Sequence, residues 1–162
     1  SALGVPGNAR DARSLDRLCW FRSTRERPAV KRDIGVNLWV WDSPVTTSVI
    51  IERSSAVRQW GFDTLELPIE NATDWDGPIV RDVLHDNGLG ATACAVLGPG
   101  RELCEAPATV IRATQDYLRA AIDLCAEVDA PVLGGPIYAS VGRTWRVDAS
   151  QRRWLLEEVR DN

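Results

Sequence analysis

Residues 61–100 read GFDTLELPIENATDWDGPIVRDVLHDNGLGATACAVLGPG. Asp63–Leu67 (DTLEL) is a short strand candidate bounded by Gly61 and Pro68. Pro78 opens a helix whose apolar positions are Ile79, Val80, Val83 and Leu84, and Gly88 closes it. Leu89–Leu97 (LGATACAVL) is a second strand, stopped by Gly98-Pro99-Gly100. Strand, helix and strand with short connections make a βαβ unit, so the strands are parallel and the crossover is right-handed.

The same alternation extends in both directions. Upstream, Ile34–Trp41 (IGVNLWVW) reads as a strand and Asp42-Ser43-Pro44 breaks it. Val49, Ile50, Arg53, Ala56, Val57 and Trp60 then recur at helical spacing, with Thr46 or Thr47 as N-cap and Gly61 after the last turn. Downstream, Pro107 opens a long helix with Val110, Ile111, Thr114, Leu118, Ala121, Ile122, Cys125 and Val128 on one stripe. Pro131–Tyr138 (PVLGGPIY) is a fourth strand, and Ser150 can cap a last helix carrying Trp154, Leu155 and Val159. The class is α/β, with four parallel β/α repeats. The strands read as almost continuously apolar, the pattern of a sheet covered on both faces. An open doubly wound sheet and strands one to four of a (β/α)₈ barrel both fit, and periodicity does not choose between them.

The 162 residues carry 19 basic and 23 acidic side chains, a net charge of −4. That balance speaks against general nucleic-acid binding. No apolar run approaches the roughly 20 residues of a membrane span. The length suits one domain but falls well short of the roughly 250 residues of a closed eight-stranded barrel. Residues 1–33 differ from the rest. Arg10, Arg13, Arg17, Arg22, Arg25, Arg27, Lys31 and Arg32 outnumber four acids there, and apolar residues are sparse. This stretch is expected to be a disordered basic leader, with residues 34–162 as the folded part. Cys19, Cys94, Cys104 and Cys125 are far apart and form no C-x-x-C pair, which excludes a zinc site of the usual spacing. The N-terminal stretch lacks an apolar signal core, so reduced thiols and a cytoplasmic location are expected.

In either architecture ligands bind at the carboxyl ends of the strands. Trp39 and Trp41 close strand one, where an indole face can floor a sugar pocket or complete a core. Glu66 closes strand two, and a carboxylate there must be paired or must reach a polar site. Cys94 ends strand three, as a pocket thiol or a packed small hydrophobe. Gly134-Gly135-Pro136 on strand four lets the backbone approach a ligand or a neighbouring strand. The single histidine, His85, has no carboxylates at ligand spacing. No dinucleotide-binding glycine motif, P-loop or nucleophile elbow is present.

Four segments in order, IGVNLWVWDSP (34–44), GFDTLELPIE (61–70), GPGRELCEAP (98–107) and VLGGPIYASVGRT (132–144), resemble the sugar phosphate isomerase/epimerase superfamily. The similarity is greatest to the D-tagatose 3-epimerase and D-psicose 3-epimerase group of xylose-isomerase-like TIM barrels. The resemblance runs from about Asp33 to the end. It implies that residues 34–162 are the N-terminal, strand-one-to-four half of a TIM barrel. It also implies ketose 3-epimerisation or aldose–ketose isomerisation, by proton transfer through a cis-enediolate held on a divalent metal (Mn, Mg or Co). The family's two glutamates, aspartate and histidine for that chemistry come from strands five to eight and have no position here to map onto. The chain alone is therefore expected to bind no metal and to be inactive. Asn37, Trp39, Glu66, Cys94, Gly135, Pro136 and Ile137 match positions that line the sugar pocket. Val141 stands where those epimerases often carry a Trp. A half barrel is expected to expose an apolar inner face, and so to self-associate or to need a complementary C-terminal half. The rival reading is a non-catalytic α/β binding module. Helices on both sheet faces would favour the module, and helices on one face the half barrel.

Overall fold

Residues 32–142 and 146–162 are described by a computed structural model. The basic leader expected over residues 1–33 lies, but for its last two residues, outside the described residues. The described elements are β1 (Gly35–Asn37), a 3₁₀ turn (Leu38–Val40), α1 (Thr47–Gln59), β2 (Thr64–Ile69), α2 (Gly77–Asp86), β3 (Gly90–Ala95), α3 (Ala108–Glu127), β4 (Leu133–Gly134) and α4 (Ala149–Asp161). The four strands form one sheet in the order β1-β2-β3-β4, and each neighbouring pair is parallel.

The helix starts follow local chemistry. Thr46 caps α1, its hydroxyl accepting the Val49 N–H at 3.4 Å, and Gly61 leaves the helix at φ +92°. Asp76 caps α2 ahead of Pro78, accepting the Ile79 N–H at 3.0 Å. The cap of α4 is Asp148 and not Ser150. The Asp148 carboxylate accepts the N–H groups of Ser150 and Gln151, and the Gln151 side chain accepts the Asp148 N–H. Carboxylate and amide thereby satisfy each other's orphan donors in a capping box, and the Ser150 hydroxyl only adds a further bond to Asp148.

Two strands are shorter than their apolar runs. The run 34–41 stops being a strand after Asn37, because the Asn37 side chain accepts the Trp39 N–H at 2.8 Å and caps a 3₁₀ turn. The run 131–138 pairs only at Leu133–Gly134, because Gly135 turns the backbone to φ +116°. By contrast β2 continues through Pro68 to Ile69. The β1 strand ends opposite Glu66, so β2 is an edge on that side beyond it, where a residue without an N–H is tolerated.

Register decides the faces. Paired residues of parallel strands point the same way, so Val36, Leu65 and Ala91 share a face, as do Leu67, Ala93 and Leu133, and Ile69 with Ala95. This face packs into the core with Ile50 and Val57 of α1, Val80 and Leu84 of α2, and Ala121 and Leu124 of α3. On α3 the stripe carries Tyr117 and Leu124 inward, while Ile122 is exposed. The opposite face bears Asn37, Thr64, Glu66, Pro68, Thr92, Cys94 and Gly134. Each crossover moves one strand along, and right-handed crossovers in one direction place every helix on the same side. The helices accordingly contact one another in series, α1 with α2 and α2 with α3. The sheet is therefore covered on one face, not two. Its other face is polar and small-residue rather than the apolar surface expected. No helix among the described residues is long and apolar enough to cross a membrane.

The two faces should respond differently to truncation. Leu67→Ala, which empties a fully buried position, is expected to lower the unfolding free energy by about 2–5 kcal/mol. Thr92→Ala on the open face should change it by no more than about 0.5 kcal/mol. Urea denaturation of both variants checks this, and equal losses would contradict the assignment of faces.

Candidate functional site

At the carboxyl ends of the strands the open face carries a short polar row. Asn37, Glu66 and Thr92 stand side by side by register, followed by Pro68, Cys94 and Gly134. The Asn37 amide donates to Glu66 Oε2 at 2.5 Å. The other end of the same amide caps the 3₁₀ turn at Trp39. One side chain thus fixes a carboxylate on β2 and the backbone carrying the Trp39 indole. The indole N–H donates to Glu70 Oε1 at 2.9 Å, and the Ser43 hydroxyl donates to the same oxygen at 2.7 Å. Asn37, Trp39, Glu66 and Cys94 are all half-buried, which leaves each within reach of a ligand while its orientation is set.

The sequence left two roles open for Glu66, and the structure pairs it with the neutral Asn37 amide. A carboxylate so held has further lone pairs left for hydroxyl donors. Burial pushes the Cys94 thiol above its ordinary pKa, the nearby Glu66 charge adds to the push, and a hydrogen bond involving Asn37 partly offsets both. Cys94 is therefore a protonated, weakly nucleophilic wall at neutral pH.

Gly135 answers the question posed by the glycine pair. At φ +116°, a Cβ on Gly135 would overlap the Ala95 carbonyl oxygen and crowd Cys94 Sγ. The glycine is needed for close approach to β3, while Gly134 has open space around its Cβ position. Beyond the kink the two strand ends stay tied, the Leu97 N–H donating to the Pro136 carbonyl and the Val141 N–H to the Leu97 carbonyl at 2.8 Å. Gly135 and Pro136 are exposed, and Ile137 is half-buried against the core. These three form the β4 end of the site, adjoining Cys94 through Gly135.

Sequence reasoning did not single out Arg101 and Tyr117 as part of this region. The Tyr117 hydroxyl donates to the Ile69 carbonyl at 2.5 Å and accepts the Val96 N–H at 3.3 Å, tying the ends of β2 and β3 from α3. Burial raises its pKa, so it remains a donor at neutral pH. The available signal was the helical stripe itself, since Tyr117 lies three residues after Thr114 and four before Ala121. Grooves lie between α2 and α3 and beside α4. Among the described residues, no group of three or more His, Cys, Asp or Glu side chains could hold a metal ion. They do not fit the divalent metal that the resemblance implies.

This chain is 27% identical over 108 residues to a ketose 3-epimerase from Arthrobacter globiformis, covering 67% of this chain and 37% of that protein. It superposes on the D-allulose 3-epimerase from Methylomonas sp., crystallised with D-allulose, at a TM-score of 0.66 and 19% identity, over 80% of this chain and 46% of that one. The fold is that of the sugar 3-epimerases. A D-psicose 3-epimerase crystallised in the presence of D-fructose matches in the same way, with a TM-score of 0.65 and 19% identity over 80% and 47% of the two chains. No family model matches. The chain spans less than half the length of these relatives. The resemblance read from the four sequence segments is thus met in sequence and in fold, and four parallel β/α repeats in sequential order are half of such a TIM barrel.

The charge coupling at Cys94 is testable. Glu66→Gln removes the negative charge that disfavours the thiolate, so the thiol pKa falls and the thiolate fraction at pH 8 rises. Iodoacetamide alkylation of Cys94 should accelerate severalfold, with the buried Cys125 as internal control in peptide-resolved mass spectrometry. An unchanged or slower rate at Cys94 would contradict the coupling.

Proposed function

We propose that residues 34–162 form the strand-one-to-four side of a ketose 3-epimerase, or of a closely related aldose–ketose isomerase, and supply its sugar-binding wall. The observation that carries this reading is the polar row at the strand ends, Asn37–Glu66 with Cys94 beside it, flanked by the anchored Trp39 indole. A ketose needs both kinds of surface. Its hydroxyls need acceptors and donors with fixed directions, which Glu66 and Asn37 provide. Its C–H faces need an apolar plate, which Trp39 provides. Gly135, Pro136 and Ile137 complete the rim at β4. The likeness to a ketose 3-epimerase over two-thirds of the chain supports the substrate class.

The chemistry of the reading is proton removal and return at the carbon beside the carbonyl, through a cis-enediolate. A divalent metal would polarise the carbonyl and stabilise the developing charge. Its ligands and the two proton-transferring glutamates belong, in this proposal, to a complementary (β/α)₄ segment. The edges of the described sheet support such a partner, because β1 and β4 each pair on one side only. Cys94 and Cys125 are free thiols, which suits the reducing cytoplasm in which we place this activity. The binding-module alternative is disfavoured, since the helices lie on one face.

Purified chain with Mn²⁺ and D-tagatose, D-fructose or D-allulose should show no turnover, and clear interconversion would refute the assignment of the catalytic groups to another segment. Mixed with the remaining strands of the Arthrobacter globiformis ketose 3-epimerase, it should form a heterodimer by sedimentation and bind D-allulose. Trp39→Ala should weaken that binding about tenfold, the size of a lost aromatic contact. A stable monomer that engages neither the complementary segment nor sugar would count against the proposal.

A further inference from the structure

We propose that Arg101 is a positioning residue for Trp39, setting the plane of that indole through Glu70 across three loops. The sugar reading above supplies only the use of Trp39; the linkage itself is geometric. Arg101 ends the turn after β3, where its backbone N–H donates to the Gly98 carbonyl at 3.1 Å. Its guanidinium lies 3.8 Å from the centre of the Tyr117 ring. One arm donates to the Glu70 carbonyl at 2.6 Å and another to Asn71 Oδ1 at 2.9 Å. Glu70, one residue past the end of β2, accepts the Trp39 indole N–H and the Ser43 hydroxyl on a single carboxylate oxygen.

Each link constrains the next. Tyr117 is a fixed floor, because its hydroxyl is held by both the Ile69 carbonyl and the Val96 N–H. A planar guanidinium can stack on that floor while its several N–H groups reach two acceptors on adjacent residues. Lysine offers a point charge without a plane, and loses one of the two functions. Glu70 lies one residue beyond the end of β2, and its carbonyl accepts from Arg101. The bond from Arg101 holds the Glu70 backbone, from which its side chain reaches Trp39 and Ser43. Trp39 already has its backbone fixed by Asn37, and the remaining freedom is rotation of the ring. The Glu70 carboxylate removes that rotation. A residue on β3's loop thereby sets a side chain at the end of β1 that it does not touch, and an aromatic plate held in one plane is what discriminating recognition of a sugar face requires.

The test is ¹H–¹⁵N spectroscopy of the full chain, with the Trp39 indole signal assigned by its loss in Trp39→Phe. In Arg101→Ala the Trp39 indole N–H should change its shift and exchange with solvent about tenfold faster, the ratio for one lost hydrogen bond. Arg101→Lys should rescue this only in part. The Trp75 indole N–H, which donates to the Pro68 carbonyl at 2.9 Å, should be unaffected, whereas general destabilisation would move both signals. Unchanged Trp39 exchange in a folded Arg101→Ala protein overturns the proposal. Should that variant unfold, Arg101→Lys decides in the same way, since it keeps a cation over Tyr117 without the fork, and wild-type Trp39 exchange in it overturns the proposal. Titration with D-allulose separates the two readings: no response of the wild-type Trp39 signal would count against the sugar assignment, while the exchange ratio still judges the linkage.

Discussion

The constraint on which the rest depends is the handedness of the crossover. A parallel strand can follow its neighbour only through a right-handed connection, and here each connection moves one strand in the same direction. Helices then accumulate on one face. The aliphatic side chains of that face, Leu65, Leu67 and Ile69 with Ala93 and Ala95, are sealed by α1, α2 and α3. The residues between them in sequence are turned to the other face. That is why Asn37, Glu66, Thr92 and Cys94 can be polar within otherwise apolar strands.

The open face would be a loose surface without devices that hold the strand ends. Three are present. Gly135 brings the backbone of the β4 end against the Ala95 carbonyl, which no larger residue permits. Tyr117 ties β2 to β3 from the helix layer. Arg101, Glu70 and Asn37 tie the loops after β3 and β2 to the 3₁₀ turn after β1. Most of these bonds join a side chain of one strand end to a group on another, so they act where the backbone ladder has run out. The outcome is a row of groups whose directions are set before any ligand arrives, which lowers the entropic cost of binding.

Much of this was legible in the residues. Helix starts at Thr46 and Pro78, and the helix exit at Gly61, follow from residues acting on backbone groups a few residues away, and such effects survive in any context. The site residues at the strand ends were also legible, because the class of fold dictates where ligands bind. Two misreadings share one cause. The runs 34–41 and 131–138 were apolar enough for long strands, but a single Asn37 side chain and a single left-handed Gly135 ended the pairing. Ile122 and Tyr117 exchanged places across the helix surface, since the stripe of a long helix is wide and only the neighbouring strand defines its centre.

By itself the sequence determined the alternation of elements, their parallel sense and the residues that close each strand, because those rest on periodicity and short-range capping. Only the tertiary structure decided which sheet face is covered, that Glu66 meets Asn37 and that Arg101 reaches Glu70. The reason is distance along the chain. These contacts join residues about thirty positions apart, and no local rule specifies a bond whose partners are brought together by the register of separate strands.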